Sequence, residues 1–429
     1  YLVFFQSIII FRAQNERRKN MNYQFHLSTD ASQFNTFVIH SDQNNLFQCT
    51  PWADVKNNWE HLYASVTNED KIVATAMVLI RCLPLHKTIF YIPRGPVMDY
   101  DNHELVSFMI EHLKKEAKKR HAIVLRFDPA VLSCKYAYKD RNEQHEFHHQ
   151  DVIDYLKSIG CRHKGFTVNI SEATQPRFNA EMDVTPDYRE HLEHKTAKCI
   201  RAAEHKGIEV YEGKEYIHDF AKAMHYTEVR KQIALRNEDY FKNLMDVYGD
   251  HAICMVTKLN FKKQLKKLEA SIQDIQTQLS SETIKKKQKN LLLQQLKNDE
   301  SEYDKLKKDY EREGKDEVIT CGILAVYNES LMELFYMGNN PDYLRMYSSY
   351  LLYAKCLDRC VDLGIEHCSF GGIEGTLDDG LTLFKSNWIM NVEEYIGEFN
   401  VVLDPFMYKM FDEFYPKIHS VSAKIRGRS

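Results

Sequence analysis

The sequence predicts a mixed α/β protein of two related domains interrupted by a long helical insertion. Three observations predict it. An order of strand, strand, helix, strand, helix occurs twice along the chain. Between the copies, the stretch Phe261 to Gly314 carries apolar residues on a heptad seam. The 429 residues, 44% of them hydrophobic, suffice for more than one core.

The first copy reads as a strand from Ile72 to Arg81, a turn at Leu83-Pro84, a strand from Thr88 to Pro93, a helix from Asn102 to Arg120, a strand from Ala122 to Asp128 and a helix from Asp151 to Ser158. The second repeats this order with strands Val318 to Tyr327 and Leu331 to Met337, a helix from Tyr347 to Leu363, a strand from Ile365 to Phe370 and a helix from Asp379 to Ser386. Helices Asp187 to Lys206, Glu215 to Ala234 and Asn237 to Tyr248, with the strand His251 to Lys258, are assigned to the second domain. In the insertion, Phe261, Leu265, Leu268, Ile272, Ile275 and Leu279 alternate spacings of four and three. A turn at Ser280-Ser281 and a second seam through Leu292, Leu296, Asp299, Tyr303, Leu306 and Tyr310 make an antiparallel coiled-coil hairpin. The expected domains are 21–165, with part of 397–429 returning to it, then 166–258 with 315–396, and the hairpin at 259–314. The chain closes with a strand from Glu394 to Leu403, a helix from Pro405 to Tyr415 and a solvated basic tail of Lys424, Arg426 and Arg428.

A formal charge of −4 excludes a surface that binds nucleic acid throughout, so such contact needs local patches. The candidates are Lys262 to Lys267, Lys285 to Lys289, and a helix bearing Lys195, Lys198, Arg201, His205 and Lys206, each of which equally reads as a solvated face. Ten scattered cysteines read as reduced thiols of a cytoplasmic protein. An apolar run from Tyr1 to Phe11 precedes Arg17, Arg18 and Lys19, the reverse of a signal peptide, and it is too short to span a bilayer. Residues 1–20 are therefore read as a non-native leader before Met21. His145, His148 and His149 have no distant partner pair, so no metal is expected. No phosphate-cradling or dinucleotide fingerprint appears, and no cofactor is expected.

Several stretches carry possible chemistry. Ser369 to Phe399 reads as a strand end, a glycine turn, a short helix and another strand. Gly371, Gly372 and Gly375 would let backbone approach a ligand, with Glu374, Lys385 and Glu398 supplying charge. In Pro-Trp-Ala-Asp-Val-Lys-Asn-Asn-Trp, the residues Trp52, Val55 and Trp59 would share a helix face with Lys56 beside it, or simply form a core pair under a solvated lysine. Arg236 and Tyr240 lie one turn apart, a spacing suited to phosphate and equally to a solvated helix start. Arg126-Phe127-Asp128-Pro129 sits at the carboxyl end of a strand, where open sheets favour ligands. Tyr91-Ile92-Pro93-Arg94-Gly95-Pro96 is an extended bend that either presents Tyr91 and Arg94 to a cleft or terminates a strand.

The phrases S-F-G-G-I-E-G, G-L-x-x-F-K and E-Y-I-G-E-F, in this order and spacing, resemble the Fem family, and with W-A-x-V-K the resemblance runs from about Met21 to Tyr415. It implies tandem N-acetyltransferase-like domains and an aminoacyltransferase that needs no cofactor. The enzyme would move alanine, serine or glycine from aminoacyl-tRNA to the stem-peptide lysine amine, or an existing bridge residue, of a peptidoglycan precursor. The hairpin favours lipid II over the nucleotide-linked muropeptide, hence a cytoplasmic enzyme peripheral to the inner face of the plasma membrane. Asp128 and Glu398 match carboxylates discussed as bases, and Lys385 matches a cation near the ester. Lys56, Trp59, Arg236 and Tyr240 match residues that hold the precursor, and Tyr91, Arg94, Gly371, Gly372 and Glu374 lie in family wording. Two alternatives stand beside this. One is an acyl-CoA-dependent N-acyltransferase, although Pro-Arg-Gly-Pro-Val-Met-Asp and Met-Gly-Asn-Asn-Pro-Asp-Tyr lack the usual pyrophosphate loop. The other is a non-catalytic RNA-binding coiled-coil protein.

Overall fold

The computed structural model describes residues 22–231, 236–281 and 284–411. The leader with Met21, the end of the helix expected to reach Ala234 and the tail after Phe411 lie outside these residues. In chain order the elements are β1 (Tyr23–His26), α1 (Ala31–Ile39), α2 (Thr50–Val55), β2 (Glu60–Asn68), β3 (Lys71–Leu83), β4 (Lys87–Ile92), β5 (Val97–Met98), α3 (His103–Lys119), β6 (Ala122–Phe127), β7 (Leu132–Ala137), α4 (Gln150–Ser158), β8 (Arg162–His163) and β9 (Phe178–Asp183). Next come α5 (His194–His205), β10 (Ile208–Glu212), α6 (Ile217–Lys231), α7 (Glu238–Tyr248), β11 (Ala252–Asn260), α8 (Phe261–Leu279), α9 (Lys286–Glu313), β12 (Glu317–Tyr327), β13 (Leu331–Asn339) and α10 (Ser348–Leu363). Then come β14 (His367–Ile373), α11 (Gly380–Lys385), β15 (Asn391–Tyr395) and β16 (Phe399–Val402), followed by helix over the described residues 405–411.

By packing, the chain forms two compact units, one gathering the chain up to Asp183, Tyr327–Glu333 and the chain from Ile365, the other Val184–Val326 and Leu334–Gly364. The first unit holds a mixed sheet ordered β1-β2-β3-β4-β6-β16-β8, with β5 on β3. Among the described strands of this sheet, only β4 and β6 pair in parallel. In α3 the residues Leu105, Val106, Met109, Ile110 and Leu113 recur at helical spacing and bury against Phe90, Leu125 and Phe127 of the sheet, as do Val152, Ile153 and Leu156 of α4. Asn102 starts α3 by accepting from the Leu105 N–H at 3.1 Å. A second set of strands in this unit joins β14 to β9, β9 to β15 and β15 to β7, all antiparallel. Leu331–Glu333 of β13 pairs in parallel with His367–Ser369 of β14.

Several expected boundaries move, among them the helix expected from Asp187, which starts at His194, and three shifts bear on the site. The strand expected to stop at Phe370 runs on to Ile373, because a bulge between Ser369 and Gly371 absorbs the glycine pair, with Gly371 at φ 77°. The single strand expected from Glu394 to Leu403 is two strands, since Gly397 at φ 100° breaks the extended backbone. β15 then pairs with β7 and β9, and β16 with β6 and β8. Helix α2 ends at Val55, so Trp59 leaves the face it was expected to share with Trp52.

In the second unit β11 pairs with β10 and β12. Phe220 of α6 meets Phe241 of α7 edge-on at 4.9 Å. The hydroxyls of Thr257, Thr320 and Ser348 form a buried chain with 2.8 Å links. Helices α8 and α9 pack as an antiparallel hairpin, Ser271 donating to Asp299 at 2.7 Å and Tyr303 to Glu269 at 2.7 Å. Leu268, Ile275 and Leu306 are buried along its seam. Its basal lysines have partners, with Lys262 on Asp316, Lys263 on Glu209 and Lys267 on the His205 carbonyl.

Candidate active site

Both strands of the parallel pair β4 and β6 deliver their carboxyl ends to one edge, and their last matched residues are Ile92 and Phe127. Beyond that pair Asp128 fills the gap. Its Oδ2 accepts from the Tyr91 hydroxyl at 2.8 Å and its Oδ1 from the Arg94 N–H at 2.6 Å. The second bond holds Arg94 in the left-handed region, at φ 53°. The Arg94 guanidinium donates to the Pro176 carbonyl at 2.8 Å and to Asn179 Oδ1 at 3.3 Å, and lies 4.1 Å over the Tyr395 ring. Asp128 is only 3% exposed. Burial pushes its carboxyl up to about 7, with Glu398 adding to the rise and Arg94 and Tyr91 opposing it.

Glu398 is equally buried but electrostatically opposite. Arg126 Nε lies 3.2 Å and Lys164 Nζ 3.3 Å from its Oε1, and the Thr174 N–H donates to its Oε2 at 2.9 Å. Burial works to raise its pKa, yet these cations and the donated bond hold it below the ordinary glutamate value. Of the two carboxylates expected as bases, Asp128 is poised to take a proton near neutrality, whereas Glu398 stays charged and orients Arg126 and Lys164. These two cations line a cavity of about 380 Å³ with Trp59, Arg81, Tyr91 and Thr174. Tyr91 lines this cavity, and Asp128, its hydrogen-bond partner, does not.

The other expected residues are placed as follows. Lys56 caps α2 and sets its ammonium 4.4 Å over the Trp52 ring, while Trp59 faces the cavity with the Arg81 guanidinium 5.7 Å over it. Lys385 is buried and donates to the carbonyls of Gly371 at 3.1 Å and Gly372 at 2.8 Å. Glu374 accepts from the Ile170 N–H at 2.7 Å. A Cβ at Gly372 would collide with the Pro176 ring and one at Gly375 with the Phe178 ring. These two glycines therefore admit the protein's own side chains, which is a different reason from the ligand approach expected of them. Arg236 and Tyr240 belong to the second unit, where the guanidinium lies 5.0 Å over the phenol ring and the Tyr336 hydroxyl donates to Tyr240 at 3.1 Å. His145 stacks on Tyr136 at 3.8 Å and His149 bonds the Leu132 carbonyl at 2.7 Å, so both have structural partners.

Sequence reasoning missed Arg81, Lys164 and Thr174, which carry no motif of their own. It also missed a second cavity of about 370 Å³ in the same unit, lined by Arg94, Lys135, Glu181, Glu333, Glu393 and Tyr395. Burial pushes Glu333 up to about 7 and Glu181 well above its ordinary value, Glu393 raising both. Alternation on β9 was the available signal, because Asn179, Glu181 and Asp183 alternate with Phe178, Ala180 and Met182, whereas β15 sets Glu393 beside Glu394 and gives none.

Comparison with known proteins follows the same lines. The profile of the FemAB family matches residues 29–416. The chain is 26% identical to a lipid II:glycine glycyltransferase of Staphylococcus aureus (strain MRSA252), over 91% of this chain and 95% of that protein. It is 24% identical to the aminoacyltransferase FemA of Staphylococcus epidermidis, covering 82% of this chain and 88% of that one. The crystal structure of FemX superposes with a TM-score of 0.71 at 24% identity, over 91% of this chain and 100% of FemX, and so shares the fold.

Proposed function

Since this chain belongs to the FemAB family, we propose that it is an aminoacyltransferase that adds an amino acid to the peptide of lipid II during synthesis of the peptidoglycan cross-bridge. One observation carries this reading: the chain aligns almost end to end with a relative named for lipid II and glycine. The donor is alanine, serine or glycine carried on tRNA, and the acceptor is the stem lysine amine or a residue already in the bridge. An aminoacyl ester is already activated. The protein has to position the two substrates, relieve the attacking ammonium of its proton and steady the oxyanion.

The residues of the first unit suit that task. Trp59, Arg81, Arg126 and Lys164 surround a cavity able to hold an anionic, partly apolar acceptor. Lys385 polarises the carbonyls of the glycine pair and sets the backbone of β14. Lys56, Arg236 and Tyr240 are assigned to phosphate of the precursor. No described helix is long and apolar enough to cross a membrane. Contact with lipid II is proposed to be peripheral, at the inner face of the plasma membrane. The test is transfer of labelled amino acid from tRNAs charged with alanine, serine or glycine, offered lipid II and, separately, the soluble nucleotide-linked precursor. Transfer from one tRNA to lipid II is expected. Absence of transfer to both acceptors, with folded protein and charged tRNA verified, overturns the reading.

A further inference from the structure

We propose that Tyr91 is the residue that touches the attacking amine, and that Asp128 receives the proton only through the Tyr91 hydroxyl. The proposal rests on the aminoacyltransferase reading. Its ground is the arrangement of three groups. Both oxygens of Asp128 are engaged inside the protein, and Asp128 does not line the cavity whereas its partner Tyr91 does. Because the Tyr91 O–H donates to Asp128, the phenol oxygen keeps its lone pairs for accepting, on a residue that lines the cavity. A proton acceptor is thereby presented in a cavity whose own lining carboxylate, Glu172, is engaged by the N–H groups of Val168 and Asn169.

The cavity itself prepares the amine. Arg81, Arg126 and Lys164 line it against one lining carboxylate, Glu172, which accepts from the N–H groups of Val168 and Asn169, while Glu398 behind the lining pairs with Arg126 and Lys164. An ammonium entering among these cations is disfavoured relative to the free amine, as like charges lower an amine's pKa. The proton balance is simple. The substrate ammonium passes one proton to the Tyr91 oxygen as the Tyr91 proton moves to Asp128, which later releases it to solvent. The free amine then attacks the ester carbonyl carbon, forming the C–N bond. The tetrahedral intermediate collapses with loss of the C–O bond to ribose, and the second nitrogen proton ends on the departing hydroxyl.

Burial dominates the titration of Asp128, the Arg94 guanidinium and N–H and the Tyr91 hydroxyl favour the ionised carboxyl, Glu398 disfavours it, and Arg126 and Lys164 reach it by way of Glu398. Asp128, pushed up to about 7, is largely ionised just above neutrality and able to accept.

The experiment measures kcat/KM for the acceptor against pH in the wild type, Tyr91→Phe and Asp128→Asn, using the donor tRNA and lipid II found active. Acceptors carrying lysine, or a lysine fluorinated at Cδ, whose ε-amine titrates below the ordinary value because the fluorine sits one carbon from the amine-bearing carbon, are compared. The wild type is expected to show a rising limb near pH 7. Tyr91→Phe should lose that limb and fall by about 10²–10⁴-fold with KM little changed, and the fluorinated acceptor should recover much of the deficit. A packing role alone would not be rescued by a more acidic amine. A Tyr91→Phe enzyme within twofold of wild type that keeps the limb overturns the relay while leaving the transferase reading intact. A wild type without any limb near 7 overturns it too, independently of whether the variants fold. Absence of transfer by the wild type removes both readings.

Discussion

Two buried carboxyls about one strand apart behave in opposite ways, and the difference is measurable at single residues. Glu398 has its pKa lowered, so it contributes stability above the ordinary glutamate value and loses it as pH falls through its folded value. Asp128 has its pKa raised. Its contribution is complete below the ordinary aspartate value and is lost as pH rises through about 7. Glu398→Ala leaves Arg126 and Lys164 without their buried partner and should cost about 3–5 kcal/mol at neutral pH, with the deficit shrinking in acid. Asp128→Asn should improve relative to wild type between about pH 4 and 7, offset by a constant loss from the weaker bond to the Arg94 N–H. Denaturant titrations at several pH values check both signs. A Glu398→Ala deficit that grows in acid would contradict the ion-pair assignment.

At the level of elements, the glycine-rich segment of β14 provides the next test. If Gly372 and Gly375 serve packing against Pro176 and Phe178, then Gly372→Ala and Gly375→Ala should each destabilise by about 1–3 kcal/mol, read as a lower Tm. Had they served ligand approach, Tm would hold and KM would rise. The same segment shows what sequence could and could not reveal. The duplicated strand and helix order, α3 with its capping Asn102 and the heptads of α8 and α9 were legible, since periodicity and caps are local signals. Strands β7 and β9 passed unnoticed because their partners lie far along the chain, β15 between them arriving only at Asn391. Residues of the site were found where a motif marked them, as for Tyr91, Arg94 and Asp128. Arg126, Lys164, Thr174 and Glu398 meet only through the pairing of β16 with β6 and β8, which no local window contains.

At the scale of the whole molecule, the first unit is assembled from three separated pieces of chain, whereas the second is complete by Gly364. The piece from Ile365 supplies β14, β15 and β16 to the first unit, and with them Ile396, Phe399 and Val401 of its core. Burying each of these side chains is worth about 1.5–3 kcal/mol. Their joint loss rivals the whole net stability of a domain, about 5–15 kcal/mol. A chain ending at Gly364 is therefore expected to leave β4 and β6 without a protected fold while β10, β11, β12 and α10 keep theirs. Hydrogen exchange followed by mass spectrometry separates the outcomes. Amides of β6 should exchange at nearly the unfolded rate and those of β11 should stay protected. Protection persisting in β6 would mean that the chain up to Asp183 folds without its returning strands. Loss of protection in β11 as well would mean that the second unit draws its stability from the first.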